Sequence, residues 1–164
     1  MKYILSVLVE NRSGVLSRTA GLFARRGYNI ESLAVGETED PTVSRMTIVT
    51  QGDERVIEQV EKQLNKLIDV IKVRRLDPEH ATRRELALVK VKASPTTRGQ
   101  ITDICNIMKA KIVDLTPTTL TIEITDRPER VRQLLDMVEP YGIVELARTG
   151  TVALEKGAAS AISD

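Results

Sequence analysis

The chain has 164 residues, with 24 Lys and Arg against 23 Asp and Glu, and the two halves on either side of His80 are each close to neutral. Nucleic-acid-binding proteins normally carry a basic excess and aromatic side chains that stack on bases. This chain has one Phe, three Tyr and no Trp. Its composition therefore argues against a nucleic-acid partner.

The sequence also indicates a compartment. Its single cysteine, Cys105, cannot form an intramolecular disulfide, which fits a reducing cytosol. The apolar run near the amino terminus is too short for a signal peptide and ends at Glu10, and no stretch approaches the roughly 20 apolar residues of a membrane span. We expect a soluble, cytoplasmic protein without a membrane partner.

The first 76 residues show the order strand, helix, strand, strand, helix, strand. The first helix carries an apolar stripe from Leu16 to Phe23 and ends at Gly27, a left-handed C-cap, and the second begins after the N-cap Asp53. The predicted strands are 3–9, 29–37, 43–50 and 70–76.

The same order recurs in the second half of the chain. Ser94 and Pro95 are predicted to open one helix, and Asp126 to cap another that Pro140 stops. The predicted strands are 86–91, 112–115, 120–124 and 143–147.

The repeat predicts an α+β fold with two ferredoxin-like βαββαβ domains. The domains are placed at 1–76 and 85–156, with a polar linker at 77–84 and a disordered tail at 157–164.

The first strand is apolar on both faces. In such a domain both helices pack on one side of the sheet, so the other face needs a separate cover. We expect another chain or a partner protein, because large exposed apolar patches are rare on monomers. The apolar side chains are Tyr3, Leu5, Val7 and Val9 on one face, and Ile4 and Leu8 on the other.

Few residues suggest chemistry. A nucleophile and base would have to come from Cys105 and His80, but the first lies on a core stripe and the second in a polar segment, so both are interpreted as structural or solvated. Glu37, Glu39 and Asp40 form an acidic cluster of the kind that attracts a hard cation, but a solvated hairpin tip is favoured. No catalytic or metal-binding residue is predicted.

The loop Asn11–Leu16 is more informative. Backbone N–H groups at a helix N-terminus lack internal partners and attract a carboxylate, and Gly14 would let a ligand approach the backbone. The amide oxygen of Asn11 is suited to accept a hydrogen bond from an ammonium group. An α-amino acid carries both charges, although the residues alone favour an ordinary capped turn.

Several runs resemble the small, regulatory subunit of acetohydroxyacid synthase, also called acetolactate synthase, whose first half is an ACT domain. The runs that carry the resemblance are Glu10-Asn11 before Ser13-Gly14-Val15-Leu16-Ser17-Arg18, then Arg26-Gly27-Tyr28-Asn29-Ile30-Glu31-Ser32-Leu33, Ser44-Arg45-Met46-Thr47, Glu61–Leu67, Arg84-Glu85-Leu86 and Ile143–Gly150.

The resemblance implies a non-catalytic subunit of branched-chain amino-acid biosynthesis. Such a subunit activates a large catalytic subunit and confers feedback inhibition by valine or a related amino acid. The cofactors of that reaction, thiamine diphosphate, Mg²⁺ and FAD, belong to the large subunit, and none is expected here.

The resemblance also implies a site. Two ACT domains pair side by side in a homodimer, and the effector lies between the first loop of one chain and the second strand of the other. The matching positions are Asn11, Gly14, Val15 and Leu16 on one side, with Asn29 and Ile30 across the interface. Replacing Gly14 with aspartate is expected to weaken valine binding and, if the φ angle is negative, to leave stability almost unchanged.

Two other functions fit the generic features. One is a free-standing ACT sensor for another pathway or a transcription circuit. The other is an enzyme that uses a carboxylate or a lysine on the same scaffold, since fold alone does not fix function.

Overall fold

The computed structural model describes residues 1–160. Met1–Thr82 together with the chain from Thr151 onward form one compact unit, and Arg83–Gly150 form a second. Within residues 1–160, no helix has both the length and the apolar character that a membrane crossing requires.

The first unit is a four-stranded antiparallel sheet with the strand order β2-β3-β1-β4. Its order along the chain confirms the predicted βαββαβ pattern. The elements are β1 (Lys2–Glu10), α1 (Val15–Arg26), β2 (Ile30–Glu37), β3 (Val43–Gln51), α2 (Glu54–Asn65) and β4 (Val70–Leu76).

The second unit repeats this order around a central strand that starts in the first unit. Its sheet has the order β6-β7-β5-β8. The elements are β5 (Ala81–Lys92), α3 (Arg98–Met108), β6 (Lys111–Leu115), β7 (Thr119–Asp126), α4 (Pro128–Val138) and β8 (Ile143–Arg148).

Helix ends follow local capping chemistry. Gly27 ends α1 with φ +70°, and the Asp53 carboxylate accepts a hydrogen bond from Val56 N at 2.9 Å, so these two predicted caps are confirmed. The predicted cap at Asp126 is wrong, because Arg127 is the N-cap of α4 and no side chain caps that helix. The prediction that Ser94 and Pro95 open a helix is wrong, because α3 begins at Arg98. Ser94 and Thr97 instead bond to each other's backbone amides and close a separate turn.

One face of β1 packs under the two helices of the first unit. Ring planes of Phe23 and Tyr28 meet edge to face there, with centroids 6.0 Å apart. The buried side chains of this core are Leu5, Val7, Val9, Val15, Leu22, Phe23, Met46, Ile48, Ile57, Val60 and Leu64.

The other face of β1 is covered in part by the chain itself. A strand missed in the sequence, β9 (Val152–Glu155), pairs with β5, and its Ala153 is buried with Ala81 against three residues of the first sheet. Those residues are Ile4, Val49 and Leu76. The expectation that another molecule must cover this face is thus wrong for these residues, because small alanine side chains let the returning chain pack closely.

The returning chain is also held by polar contacts. Thr151 N donates to Ser32 Oγ at 2.8 Å, Lys156 N donates to His80 O at 2.8 Å, and Arg74 pairs with Glu155 at 3.3 Å. We call residues 151–160 the return segment.

The units therefore divide differently from the predicted domains. Residues expected to end the second domain belong to the first unit, and β5 occupies half of the predicted linker 77–84. In the predicted tail 157–164, the carbonyl of Ser160 accepts a hydrogen bond from Arg74. Residues 161–164 lie outside the described residues.

The burial of Ala153 generates a stability prediction. Ala153→Glu places a carboxylate in an apolar cluster with no cationic partner, so the first unit should lose roughly 3 kcal/mol in urea unfolding of the full chain. Leu154→Glu is the matched control, because Leu154 is 59% exposed on the same strand and the new charge stays in water. Equal losses in the two variants would contradict the packing of the return segment.

Candidate effector-binding site

The loop after β1 is fixed by its own polar contacts. Asn11 N donates to Thr42 O at 2.8 Å, and Asn11 Nδ2 donates to Pro41 O at 2.9 Å and to Glu37 Oε1 at 3.2 Å. Both amide hydrogens of Asn11 are thus used within the chain. No described residue donates a hydrogen bond to its Oδ1.

Gly14 is the N-cap of α1 and has a left-handed conformation, with φ +85° and ψ −8°. No side chain caps this helix and its first turn contains no acidic residue. Among the described residues, none accepts a hydrogen bond from the N–H groups of Gly14, Leu16 or Ser17. The helix therefore presents open donors and its positive dipole end beside a residue without a side chain.

Val15 and Leu16 have different surroundings. Val15 is 4% exposed and belongs to the core, so it anchors the first helical turn, whereas Leu16 is 48% exposed beside the open amides. Of the two predicted residues that open the second strand, Asn29 is exposed and Ile30 is partly buried against the core. The carbonyl of Asn29 accepts a hydrogen bond from Thr50 Oγ1 at 2.6 Å.

The structure does not bring these two groups together within one chain. Ile30 pairs with Thr50, which pairs with Tyr3 at the start of β1, whereas the loop follows Glu10 at the end of β1. Seven residues of extended strand separate the two ends by about 23 Å. One chain therefore holds two separated halves of the predicted site.

Sequence reasoning missed a buried acid beside the loop. Asp69 is 3% exposed; its Oδ1 lies 2.9 Å from Arg12 Nη2, and its Oδ2 lies 2.6 Å from both Nε and Nη2 of Arg18. Its backbone carbonyl accepts from Glu10 N at 2.9 Å. The available signal was an acid inside the apolar run Leu67–Ile71, since buried carboxylates require partners.

The two residues considered for catalysis, His80 and Cys105, have surroundings typical of structural or solvated side chains. His80 Nδ1 lies 2.7 Å from Asp77 Oδ2 in an exposed turn. Cys105 is 1% exposed in the core of the second unit, and burial raises the pKa of its thiol. A thiol with a raised pKa is a poor nucleophile at neutral pH.

The acidic hairpin tip is an ordinary turn. Asp40 Oδ1 accepts from Thr42 N at 2.9 Å and from Thr42 Oγ1 at 2.7 Å, and these bonds lower the pKa of Asp40 below its usual value. Across residues 1–160, no cluster of three or more His, Cys, Asp or Glu side chains could hold a metal ion.

Comparison with known families decides the assignment. Residues 5–72 match the family model described as "AHAS small subunit-like ACT domain", and residues 84–157 match "Small subunit of acetolactate synthase". The chain belongs to the acetolactate synthase small-subunit family. Its first unit is an ACT domain.

Individual relatives agree over nearly the whole chain. The acetolactate synthase small subunit of Mycolicibacterium smegmatis is 52% identical, over 94% of this chain and 91% of the relative. The isozyme 3 small subunit of Salmonella typhimurium is 48% identical, over 96% and 97%. The crystal structure of the small subunit from Thermotoga maritima superposes with a TM-score of 0.90 at 39% identity, over 97% and 99%.

The geometry of Gly14 changes one expectation. Gly14→Asp is expected to leave stability almost unchanged only if φ at residue 14 is negative. Because φ is +85°, an aspartate at this position is strained and should lower stability. A Cβ atom at residue 14 would also lie 2.8 Å from Arg18 Nη1.

Alanine variants separate these two effects. Gly14 and Gly27 both have positive φ, but a Cβ at Gly27 would meet no atom within 4 Å. Gly27→Ala should cost about 1 kcal/mol of unfolding free energy from backbone strain alone. Gly14→Ala should cost roughly 1 kcal/mol more, because Arg18 must shift away from Asp69. Thermal and urea unfolding would measure the stability of both variants. Equal losses would show that Arg18 can move away from a Cβ at residue 14 without loss of stability.

Proposed function

We propose that this chain is the regulatory subunit of an acetolactate synthase and binds valine or a related branched-chain amino acid. The observation that carries the proposal is the open N-terminus of α1, where the N–H groups of Gly14, Leu16 and Ser17 have no partner among the described residues. Such a terminus favours a carboxylate. The Oδ1 atom of Asn11 is available for the ammonium group.

A second copy of the chain would complete the site. In its unit β2 is an edge strand, and its middle segment from Ser32 to Gly36 carries no charge. The opposite edge, β4, carries Lys72, Arg74 and Arg75, and charged side chains discourage strand addition. Val35 on β2 is 48% exposed and would be covered by a twin strand. These features support pairing of two ACT domains side by side through β2.

Antiparallel pairing of two β2 strands would join the separated halves of the site. The start of one β2, with Asn29 and Ile30, would face the end of the other β2 at Glu37. Glu37 is bonded to Asn11 of its own loop at 3.2 Å. A two-fold axis repeats the arrangement, so a homodimer would hold two equivalent effector sites.

The apolar residues at the two halves suit a branched side chain. Leu16 projects into solvent beside the open amides, and Ile30 is partly exposed at the start of β2. Covering an isopropyl group between them would remove apolar area from water at about 25 cal/mol per Å². Small polar amino acids would lack this contribution.

Regulation would follow from linkage. An effector bound between two chains stabilises one dimer arrangement, and it controls the large subunit only if the affinity or activity of that subunit differs between arrangements. Couplings of this kind are typically about 1 to 3 kcal/mol. Thiamine diphosphate, Mg²⁺ and FAD are assigned to the catalytic partner in this proposal.

The first functional prediction concerns activity. The chain alone should form no acetolactate from pyruvate, whereas adding it to its large subunit should raise the rate and make that rate sensitive to valine. The colorimetric assay for acetolactate measures both. Turnover by the chain alone would contradict the regulatory role, and binding of valine without any effect on the large subunit would favour a free-standing sensor.

The second functional prediction tests whether two chains share each site. Leu16→Asp puts a negative charge at the open helix start, and Asn29→Ala removes a side chain whose backbone carbonyl keeps its bond to Thr50. Each homodimer should bind valine at least tenfold more weakly. After subunit exchange, half of the dimers are mixed and each regains one native site, so calorimetry should recover about one quarter of the sites. If each site lay within one chain, mixing would recover none.

A further inference from the structure

Asp69 is placed to hold both sides of the loop that carries the open amides. Through Arg12 it reaches the residue two positions before Gly14, and through Arg18 it reaches the helix one turn beyond. Its backbone carbonyl also receives Glu10 N at the end of β1. The ring Arg12–Asp69–Arg18 therefore brackets Gly14 from both directions.

The carboxylate is the fixed part of this ring. The Asp69 side chain is 5% exposed, whereas those of Arg12 and Arg18 are 58% and 50% exposed. Long side chains with half their surface in water have several rotamers available, and a buried carboxylate with a separate oxygen for each guanidinium restricts that freedom. Glu10 also pairs with Arg12, whereas Arg18 is held by Asp69 through both Nε and Nη2. Arg18, held in this way, lies against Gly14 on the side where a Cβ would be.

We propose that Asp69 is the positioning residue of the effector site: it holds the Gly14–Ser17 amides in the geometry that receives a carboxylate before the ligand arrives. This inference rests on the proposed function. A preformed set of donors binds more tightly than a mobile one, because less freedom is lost on binding.

Charge and position predict opposite effects for Asp69→Asn. The substitution keeps the shape and removes a negative charge near the anion site, so a purely electrostatic role predicts tighter binding of valine. The positioning role predicts weaker binding, because the asparagine NH₂ faces a guanidinium and one arm of the ring opens. We expect a loss of about tenfold or more, the equivalent of one charge-assisted hydrogen bond.

Glu85→Gln is the matched control. Glu85 is likewise buried, at 4% exposed, and pairs with Arg148, but it lies in the second unit. Loss of this buried carboxylate should lower stability and leave valine affinity within about twofold of wild type, because Glu85 pairs with Arg148 and with neither arginine of the ring. Calorimetric titration of valine, with thermal unfolding of the same samples, gives both quantities.

The outcomes separate this inference from the proposed function. If the wild-type chain binds no branched-chain amino acid, both are overturned. If the wild type binds valine and folded Asp69→Asn binds it equally well or better, the positioning role alone is overturned. A tenfold loss that Glu85→Gln does not share supports it.

A pair of milder variants decides the question if Asp69→Asn does not fold. Arg12→Gln and Arg18→Gln each open one arm of the ring at a half-exposed side chain. A ring predicts that each weakens valine binding and that the double variant is about as weak as the weaker single one, because the first break already frees the loop. Additive losses would indicate independent contacts and overturn the ring.

Discussion

Burial of both faces of β1 is the constraint on which the first unit depends. Leu5, Val7 and Val9 pack under the helices, while Ile4 packs with the returning chain on the opposite face. A strand held in this way cannot shift register by one residue without exchanging its two apolar sets. The position of the end of β1 is therefore fixed, and it determines where the loop that begins at Asn11 lies.

The alternation of apolar residues made most of this fold predictable. The βαββαβ order, the C-cap at Gly27 and the N-cap at Asp53 all follow from short-range patterns. The return segment was not predictable, because four residues without a strong strand signal gain their structure from Ala153 packing on residues far away in sequence. The start of α3 was misplaced for a related reason, since the bonds between Ser94 and Thr97 compete with the helix for the same backbone groups.

The site was predictable to a similar extent. A glycine before a helix indicates an anion-binding turn, but the sign of its φ angle, and hence the strain of any replacement, appears only in the folded chain. The pairing of Asp69 with Arg12 and Arg18 joins residues more than fifty positions apart, so no local pattern contains it. The separation of Asn29 from the loop follows from strand register, and it is the reason that the proposed site requires two chains.

The internal repeat supplies a comparison within the molecule. In the second unit, the turn between β5 and α3 is closed by its own groups: Ser94 N donates to Thr97 Oγ1 at 2.8 Å, and Arg98 N donates to Ser94 O at 2.9 Å. No glycine with positive φ precedes α3 among the residues of that turn. In the first unit, the N–H of Gly14 at the equivalent position has no acceptor among the described residues, and the Arg12 and Arg18 side chains of this turn pair with Asp69. The two halves share a fold but differ at the residue before the helix: the N–H of Thr97 bonds to Ser94 in the second unit, whereas the N–H of Gly14 has no acceptor among the described residues. This difference supports placing the proposed ligand site in the first unit.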